Sequence, residues 1–589
     1  MKISDLISRW LVDIGCKNVY GVTGGSVVHL LHSAEKNERL SVIYNHHEQA
    51  SAFAAVASSR IFHDRPGVCM VTTGPGGTNA ITGLASAWLD SIPTIFISGQ
   101  ARSNDAEALK STRQSGSQHL DIVNVVKPLT NYCATARSEE HLLQILHTCR
   151  EKLFWPRPGP VWIDIPLDLQ WKISDSLDSW NYSQKQFSSK DIPDKSLSNI
   201  SVDLRKSKKP LFVLGYGCRL SKRKDEIIEI LQKKQIPYVL TWNTLDYSEY
   251  NDKQNLGLIG ISGTREANLA VKYCDCLVAV GSHLSKMLTG DSIGQFAKSA
   301  DSIHIVDIDS SESFRFNEDK RFHYHANDLS DLNLNFIDSV SVSKDWIDLY
   351  SKIKSLRDYG IIEEVDKHIE KSSINQYRCY EIISNCMRED DCIVVDGGGN
   401  VLFSCLQNIK PKSDNRIVTG AGIGCMGSGL PEAIGACMAS GKRTLCFIGD
   451  GSMQFNIQEL QTIIENKLPI LIVIFNNNGY LAIKNTQDSY FDRRFGVDSD
   501  SGLSLPNYQK ICNAYGINYT KLSTSADYAT IKKLFTSKES TPLVVEILIS
   551  EKTPLLPRGG FKKDLEGKNI RREPWDLFPD LTEFPKDII

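Results

Sequence analysis

Apolar positions repeat in two alternating patterns at the start of the chain. Spacing of three or four residues predicts an amphipathic helix from these apolar side chains: Ile3, Leu6, Ile7, Trp10, Leu11 and Ile14. The next apolar run, "VYGV", predicts a short strand that is closed by Gly24 and Gly25. The segment "GVCMVTTGPGGTNAITGLASAWLDSIPTIFISGQ" repeats this scheme, with a helix from about Asn79 to Leu89 between two strands. Strands and helices therefore alternate in this first block.

Two further blocks show the same alternation. The second contains the strands of "KKPLFVLGYGC", "CDCLVAVGSHL" and "SIHIVDID", with Cys274 and Cys276 alternating along one of them. The third begins with a helix near Ile374 and contains "CIVVDGGGN", "TLCFIGDGSMQFNIQEL" and "PILIVIFNNNGYLAI". Uninterrupted apolar strands between helices are typical of parallel sheets that are covered on both faces. We therefore predict an α/β protein with three doubly wound parallel-sheet domains.

Composition narrows the class of protein. At about 150 residues per domain, the 589 residues suggest three or four domains. A net charge of -3 gives no electrostatic reason to expect nucleic acid or an anionic membrane as partner. No apolar run has the length of a membrane span, and "MKISDLISRW" lacks the apolar region of a signal peptide. The 15 cysteines form no disulfide or metal-ligand pattern, so we expect a reduced, cytoplasmic protein.

Polar residues follow two buried strands of the third block. Thr444 to Ile448 is followed by "GDGS", and Ile470 to Phe475 is followed by "NNNG". If these strands are parallel neighbours, both turns meet at the carboxyl edge of the sheet, where open α/β sheets bind ligands. Asp450 then offers a carboxylate, Asn477 an amide oxygen and Gly479 a backbone carbonyl. Because Mg²⁺ prefers oxygen ligands together with phosphate oxygens, the pattern predicts a Mg²⁺ site that holds a cofactor diphosphate.

These motifs resemble those of thiamine diphosphate enzymes, and the chain from Ile3 to Ile549 resembles the acetohydroxyacid synthase (acetolactate synthase) branch. The most specific segments are "HEQASAFAA", "TTGPGGTNAITGLASAWLDSIP", "GCMGSGLPEAIGA" and "GDGSMQFNIQELQTI". The resemblance implies a pyrimidine-binding domain at 1–172, a central domain at 196–345, a diphosphate-binding domain at 373–552 and a C-terminal tail at 553–589. The polar segment "SDSLDSWNYSQKQFSSKDIPDKS" is the linker after the first domain.

The cofactors and the assembly follow from the same resemblance. It implies thiamine diphosphate and Mg²⁺. In this family the cofactor bridges the first and third domains across a subunit interface. We therefore expect a homodimer or homotetramer with its active sites between subunits.

Glu48 stands at the head of a run of small apolar residues in "YNHHEQASAFAA". One interpretation is a helix-start residue, because a carboxylate is favoured near the positive end of a helix dipole. The resemblance implies a catalytic role instead, in which Glu48 hydrogen-bonds N1′ of the cofactor's aminopyrimidine. In a largely apolar site the pKa of this carboxyl is expected to rise, so that it shares a proton with N1′.

Further site residues follow from the family pattern. Gly424 offers its carbonyl to the pyrimidine amino group, and Met426 holds the cofactor in a bent conformation. Gln118, in "RQSGSQHLDIV", either faces the active site or is a surface-loop glutamine. Core packing and turns are the alternative roles of Met426 and the glycines. The remaining predicted cofactor-binding residues are Asn79, Gly399, Asn400, Gly451 and Ser452.

The sequence departs from the synthases at positions that select the second substrate. In the family an Asp-Arg pair precedes Val-Thr-Gly, and its arginine binds the carboxylate of the second keto acid. The corresponding "GSHLSKMLTG" has Lys286 and Met287 there, and Thr486 replaces a selecting tryptophan near Ile483. Met287 offers no bidentate bond to a carboxylate, and Lys286, as its neighbour on an extended segment, points to the opposite face. The second substrate is therefore predicted not to be a simple 2-keto acid.

A different branch fits these departures. "RQSGSQHLDI" and "EPWDLFPDL" are similar to acetolactate synthase-like proteins of bacterial surface-polysaccharide pathways, some of which transfer an acetyl unit to the ketone of a nucleotide-linked deoxysugar. A basic tail either helps to hold such an anionic substrate or is simply solvated. Its residues are Lys562, Lys563, Arg571 and Arg572.

Flavin is a further candidate cofactor, because the synthases bind FAD in the central domain without redox turnover. Candidate FAD residues are Gly215, Gly217, Arg265 and His283, although these are equally turn and surface residues left from an ancestral site.

The leading hypothesis is a carboligase that decarboxylates pyruvate and joins the two-carbon unit to a carbonyl acceptor. Acetolactate synthesis from two 2-keto acids, simple decarboxylation and a flavin oxidase are the alternatives among enzymes. A catalytically silent regulatory or scaffold paralogue is the alternative from another class, and intact Glu48, Asp450 and Asn477 argue against it.

Overall fold

Three parallel sheets of six strands each form the framework of the protein. The computed structural model describes residues 1–109, 111–174, 197–308, 311–338, 340–538, 541–563 and 567–581. The first sheet contains β1 (Asn18–Gly21), β2 (Ser41–Tyr44), β3 (Val68–Val71), β4 (Ile95–Gln100), β5 (Tyr132–Thr135) and β6 (Val161–Pro166). The second contains β7 (Pro210–Leu214), β8 (Tyr238–Leu240), β9 (Asn255–Leu258), β10 (Cys276–Val280), β11 (Ser302–Asp307) and β12 (Phe322–Ala326).

The third sheet contains β13 (Cys392–Val395), β14 (Arg416–Val418), β15 (Thr444–Gly449), β16 (Ile470–Asn476), β17 (Asn518–Leu522) and β18 (Leu543–Leu548). A short antiparallel hairpin, β19 (Phe561–Lys563) and β20 (Asn569–Arg571), follows near the C-terminus. Because inner strands such as β15 and β16 are buried on both faces, they read as uninterrupted apolar runs, and this is why the sequence predicts them well.

Helices cover the faces of each sheet. The first block has α1 (Ile3–Asp13), α2 (Val28–Glu35), α3 (Glu48–Ile61), α4 (Pro75–Asn79), α5 (Ile81–Leu89), α6 (Ser103–Ala108), α7 (Ile122–Val126), α8 (Glu139–Phe154) and α9 (Leu167–Gln170). The second has α10 (Ser198–Lys206), α11 (Gly217–Leu220), α12 (Lys224–Lys233), α13 (Arg265–Tyr273), α14 (Lys286–Thr289) and α15 (Lys344–Lys354), and α16 (Ile361–His368) leads to the third. The third has α17 (Gln376–Cys386), α18 (Gly399–Asn408), α19 (Gly429–Ser440), α20 (Asp450–Met453), α21 (Glu459–Glu465), α22 (Leu481–Tyr490), α23 (Tyr508–Tyr515) and α24 (Tyr528–Thr536).

The strand orders confirm the predicted fold class. The first sheet has the order β2-β1-β3-β4-β6-β5, and the third repeats it as β14-β13-β15-β16-β18-β17. The central sheet has the order β12-β11-β10-β7-β8-β9, which is the doubly wound order of dinucleotide-binding folds. From β7 the chain adds strands first on one side and then, from β10, on the other. The order of the strands therefore reverses between β7 and β10, and a crevice opens at their carboxyl ends.

Several local predictions need correction. The helix predicted from about Asn79 to Leu89 is present as α5 but begins at Ile81, and a separate short helix, α4, ends at Asn79. Cys274 caps the end of α13 and only Cys276 lies in a strand, although both are buried. The segment with Lys286 and Met287 is the short helix α14 and not an extended strand. Apart from Ser174, the predicted polar linker lies outside the described residues.

The first and third blocks pack directly on each other through α3 and α19. A Cβ on Gly435 would stand 2.0 Å from the Ala54 carbonyl oxygen, so only glycine permits this approach. Small residues in the "ASAFAA" run are therefore explained by close helix packing, with every residue from Ala50 to Arg60 buried. All 15 cysteines are free thiols. Within the described ranges, no helix is both long and apolar enough to cross a membrane.

Candidate active site

Glu48 is the first residue of α3, immediately after the turn that follows β2. The His47 ring accepts a hydrogen bond from the Gln49 amide at 3.1 Å and so caps the helix. Glu48 is half-buried, and its Oε2 accepts a hydrogen bond from Asn79 Nδ2 at 2.9 Å. The predicted residues Glu48 and Asn79 therefore lie together at the start of the buried helix α3.

Asp450 is buried at the carboxyl end of β15, where it begins α20. Its Oδ1 accepts from the Gly451 amide at 2.8 Å, and its Oδ2 accepts from the amides of Asn477 at 3.2 Å and Gly479 at 2.9 Å. Burial raises the pKa of this carboxyl to about 6, while the three amides lower it in part. The two polar turns predicted to meet are therefore joined through Asp450.

Asn477 presents the oxygen that the predicted metal site needs. Its Oδ1 is buried and has no hydrogen-bond partner among the described residues, although buried polar atoms are almost always paired. The turn is held from behind by Lys484, which is 1% exposed and donates to the Asn478 carbonyl at 2.9 Å. A hard cation between the Asp450 carboxylate and the Asn477 amide would satisfy this oxygen. These residues fit Mg²⁺.

Glycine-rich segments follow the strands around Asp450, and a Cβ on Gly399 would meet no atom within 4 Å, so the space beside Gly399 is open. Gly399 and Gly424 have φ of 71° and 66°, a region that favours glycine. A Cβ on Gly451 would stand 2.2 Å from the Tyr480 ring, and one on Gly398 would stand 2.5 Å from Met426 Cγ. The six sequence-predicted residues all follow strands of the third sheet. Gly424 and Met426 lie in the turn after β14, Gly399 and Asn400 begin α18 after β13, and Gly451 and Ser452 lie in α20 after β15.

Polar residues that the sequence reading missed tie the two blocks together. Gln49, next to Glu48, accepts from Asn456 Nδ2 at 3.1 Å, and the same amide donates to the Gly427 carbonyl at 2.8 Å. Glu459 accepts from the Asn45 side chain at 2.8 Å and from the His46 amide at 3.0 Å. The segments "NHHEQ" and "QFNIQEL" are both rich in polar residues, but a single sequence does not show that two distant segments pair with each other.

Gln118 is exposed, and its backbone has a φ of 64°. Its carbonyl accepts from Thr73 Oγ1 at 3.3 Å, and a Cβ on Gly74 would stand 2.5 Å from it. The loop with Gln118 therefore packs on the "TTGPGG" turn, while the Gln118 side chain stays open to solvent.

A cavity of about 450 Å³ lies at the crevice of the central sheet. Gly217, His283 and Met287 line it, together with residues of the first and third blocks such as Trp155 and Gly422. Gly215 lies just behind the lining, where a Cβ would stand 2.1 Å from the Gly281 carbonyl oxygen. Arg265 is not part of the lining.

Arg265 lies apart from the cavity because the C-terminal segment holds it. Its guanidinium is buried and donates to the carbonyls of Leu577, at 3.3 Å, and Pro579. The sequence reading grouped Arg265 with the candidate flavin residues, and the structure does not bring it to them.

Met287 lies on α14 at the cavity and is 39% exposed. Lys286 is directed to Asp291, with Nζ 2.8 Å from Oδ1, and Asp291 also pairs with Arg571 at 2.9 Å. The two other predicted substrate residues, Ile483 and Thr486, lie on the exposed face of α22, opposite the buried Lys484 and Gln487. Lys286 and Met287 therefore lie in the second block, whereas Ile483 and Thr486 lie in the third.

The described residues of the basic tail form ion pairs with carboxylates. Lys562 pairs with Asp576 at 2.5 Å, and Arg572 pairs with Asp576 at 2.9 Å and Asp580 at 2.7 Å. With Arg571 held by Asp291, Lys562, Arg571 and Arg572 each have a carboxylate partner. The side chain of Lys563 lies outside the described residues.

Comparison with known proteins agrees with this geometry. Three models of thiamine pyrophosphate enzymes match the chain: the N-terminal TPP binding domain at residues 1–125, the central domain at 200–320 and the C-terminal TPP binding domain at 397–547. The acetolactate synthase large subunit of Porphyra purpurea is 30% identical over 538 residues, which cover 86% of this chain and 85% of that protein.

Two bacterial proteins match over nearly their whole length. The acetolactate synthase large subunit of Lactococcus lactis subsp. lactis (strain IL1403) is 29% identical over 97% of both chains. The isozyme 1 large subunit of Escherichia coli (strain K12) is 27% identical over 96% of this chain and 97% of that protein. The chain therefore belongs to the thiamine pyrophosphate-dependent enzymes, among relatives of the acetolactate synthase large subunit.

Proposed function

We propose that this protein is a carboligase that decarboxylates pyruvate, or a related 2-keto acid, and transfers the two-carbon acetyl unit to the ketone of a nucleotide-linked deoxysugar. When bound, thiamine diphosphate supplies the electron sink that decarboxylation requires. The choice of acceptor rests on one observation: the residue of α14 that lines the cavity is Met287, where the synthases have an arginine. A thioether gives a substrate carboxylate no cationic partner.

Lys286 does not replace the missing arginine. It lies on the same short helix, but its side chain is 71% exposed and its ammonium group pairs with Asp291, which Arg571 also holds. A carboxylate that enters a desolvated site without a cation is costly, whereas an uncharged ketone is not. Acceptors without a carboxylate beside the reacting carbonyl are therefore favoured.

The proposed roles of the other residues follow the family pattern. Glu48 holds a proton at N1′ of the aminopyrimidine, and Asn79 orients the Glu48 carboxylate. Asp450, Asn477 and the Gly479 carbonyl hold Mg²⁺ with the cofactor diphosphate, while Gly399, Asn400, Gly451 and Ser452 lie along that diphosphate. Gly424 positions the pyrimidine through its carbonyl, and Met426 holds the cofactor in its bent conformation. Gln118, Ile483 and Thr486 line the approach of substrate.

We expect pyruvate to be a poor acceptor and a 4-keto-deoxysugar nucleotide to be a good one. The purified enzyme would be given pyruvate alone and then pyruvate with the sugar nucleotide, and both products would be measured by mass spectrometry. The variant Met287→Arg, which restores a guanidinium, should increase acetolactate formation relative to branched sugar. Fast acetolactate formation by the wild type, with no branched sugar, would overturn the proposed acceptor.

Acetolactate synthesis from two 2-keto acids is the second candidate, because the matched relatives are acetolactate synthases. The reactions with pyruvate alone and with pyruvate plus the sugar nucleotide distinguish acetolactate synthesis from transfer to the sugar. Loss of pyruvate with neither product would instead indicate a simple decarboxylase.

We also propose that the central cavity takes the flavin of FAD. Its place at the carboxyl ends of β7 and β10 is where doubly wound sheets bind dinucleotides, and Gly217 and His283 line it. We expect flavin absorbance in the purified protein and its release on denaturation. If titration with FAD quenches no flavin fluorescence and none co-purifies, the cavity has another occupant.

A further inference from the structure

Glu432 is a buried acid that none of the proposed roles uses. It lies in the first turn of α19, is fully buried, and its Oε2 accepts from Ser428 Oγ at 3.3 Å. Its Oε1 has no hydrogen-bond partner among the residues the structure describes. A carboxyl group in such a place is usually neutral, because an unpaired buried charge is strongly disfavoured.

Both positive and negative groups influence Glu432. Arg60 of α3 favours its ionisation, but the Arg60 guanidinium is held by Asp90 at 2.5 Å. Asp90 and Asp396 both disfavour ionisation. Burial is the largest influence, and it raises the pKa of Glu432 to about 8. The thiols of Cys425 and Cys446 also lie within its electrostatic reach.

Glu432 lies beneath the segment 420–428, which carries Gly424 and Met426. A Cβ on Gly420 would stand 2.9 Å from Glu432 Oε1, and the Gly420 carbonyl in turn accepts from the Gly424 amide at 3.0 Å. At the other end of the segment, Ser428 Oγ bonds both Glu432 and the Gly397 amide, the latter at 3.2 Å. The acid therefore contacts both ends of the turn proposed to hold the cofactor's pyrimidine.

We propose that Glu432 is a positioning residue that must stay protonated to keep the segment 420–428 in its cofactor-binding shape. Ionisation would add a negative charge near Asp90 and Asp396, and the repulsion would displace the Glu432 carboxylate from its contacts with Gly420 and Ser428 at the two ends of the segment. Thiamine diphosphate affinity would then be high at neutral pH and fall as the pH rises through the pKa of Glu432. The inference rests on the proposed roles of Gly424 and Met426 and not on the identity of the acceptor.

The test measures thiamine diphosphate binding in saturating Mg²⁺ by calorimetry at pH 7 and pH 9. If only the neutral form binds and the pKa is about 8, wild-type affinity should fall about tenfold across this range. Glu432→Gln, which stays neutral, should bind as tightly as wild type at pH 7 and show no such fall. The matched control Glu465→Gln changes an exposed glutamate and should follow the wild type.

Equal losses of affinity in the wild type and Glu432→Gln would overturn the proposal. If the variant does not fold, the wild type alone decides the question. Titrations at pH 9 in buffers of different ionisation enthalpy should show uptake of close to one proton per cofactor, against nearly none at pH 7. No uptake at pH 9 would also overturn the proposal. Because binding is measured without acceptor, a wrong acceptor would leave these results unchanged.

Discussion

Glu48→Gln is expected to keep the fold and the bound cofactor while turnover of pyruvate falls by about 10²- to 10⁴-fold, the range typical for loss of a positioned acid or base. Glutamine has nearly the same shape and keeps a hydrogen bond available to Asn79, whose amide donates to Glu48 at 2.9 Å. It holds no exchangeable carboxyl proton, so it does not share one with N1′. Initial rates of pyruvate consumption at saturating cofactor measure the effect.

Two controls separate this role from a structural one. Glu38→Gln removes an exposed carboxylate of the same block and should leave the rate unchanged. Calorimetry should give Glu48→Gln and the wild type similar cofactor affinities. Wild-type turnover by Glu48→Gln would leave only the helix-start interpretation.

Asp450→Ala is expected to weaken thiamine diphosphate binding about 100-fold or more. Loss of residues that only support a metal ligand commonly costs 10- to 100-fold in metal affinity, and Asp450 is the proposed charged ligand itself. Its carboxylate also accepts from the Asn477 and Gly479 amides, so the variant loses the bonds that shape the turn. Calorimetric titration with cofactor at several Mg²⁺ concentrations measures the change.

Asp500→Ala serves as the matched control, because Asp500 is exposed in the same block. Circular dichroism before the titration would show whether Asp450→Ala has lost secondary structure or unfolds at a lower temperature than the wild type. Unchanged cofactor affinity in the folded variant would remove Asp450 from the metal site.

Mixing these two impaired variants, at a cofactor concentration that does not saturate Asp450→Ala, tests the proposed interface. In a dimer whose sites combine Glu48 of one chain with Asp450 of the other, each mixed dimer contains one intact site. Random pairing would then restore about a quarter of wild-type activity. If both residues of a site come from one chain, mixing restores none.

The sequence alone predicts the strands and the metal turns because their signals are local. Buried strands such as Ile470–Asn476 are uninterrupted apolar runs, and the "GDGS" and "NNNG" turns follow them directly. What it misses depends on contacts between distant segments. Arg265 is bound by carbonyls more than 300 positions later, and Lys286 is held by Asp291 together with Arg571 of the tail.

Short elements are the second class of error. The four-residue α14 is too brief for a helical period to be visible, so an extended segment was expected where the chain turns. Only the structure shows that Met287 lines a cavity while Lys286 is engaged at the surface.

The matching strand order of the first and third sheets has an evolutionary consequence. Such a match is what duplication of a single ancestral domain would leave behind. Under this correspondence β2, which precedes Glu48, is the counterpart of β14, which precedes Gly424, and β3 is the counterpart of β15, which precedes Asp450. Under a duplication, the loops that carry both proposed contacts to the pyrimidine are counterparts, and the metal turn is the counterpart of "TTGPGG". That turn of the first block contains no carboxylate for a cation.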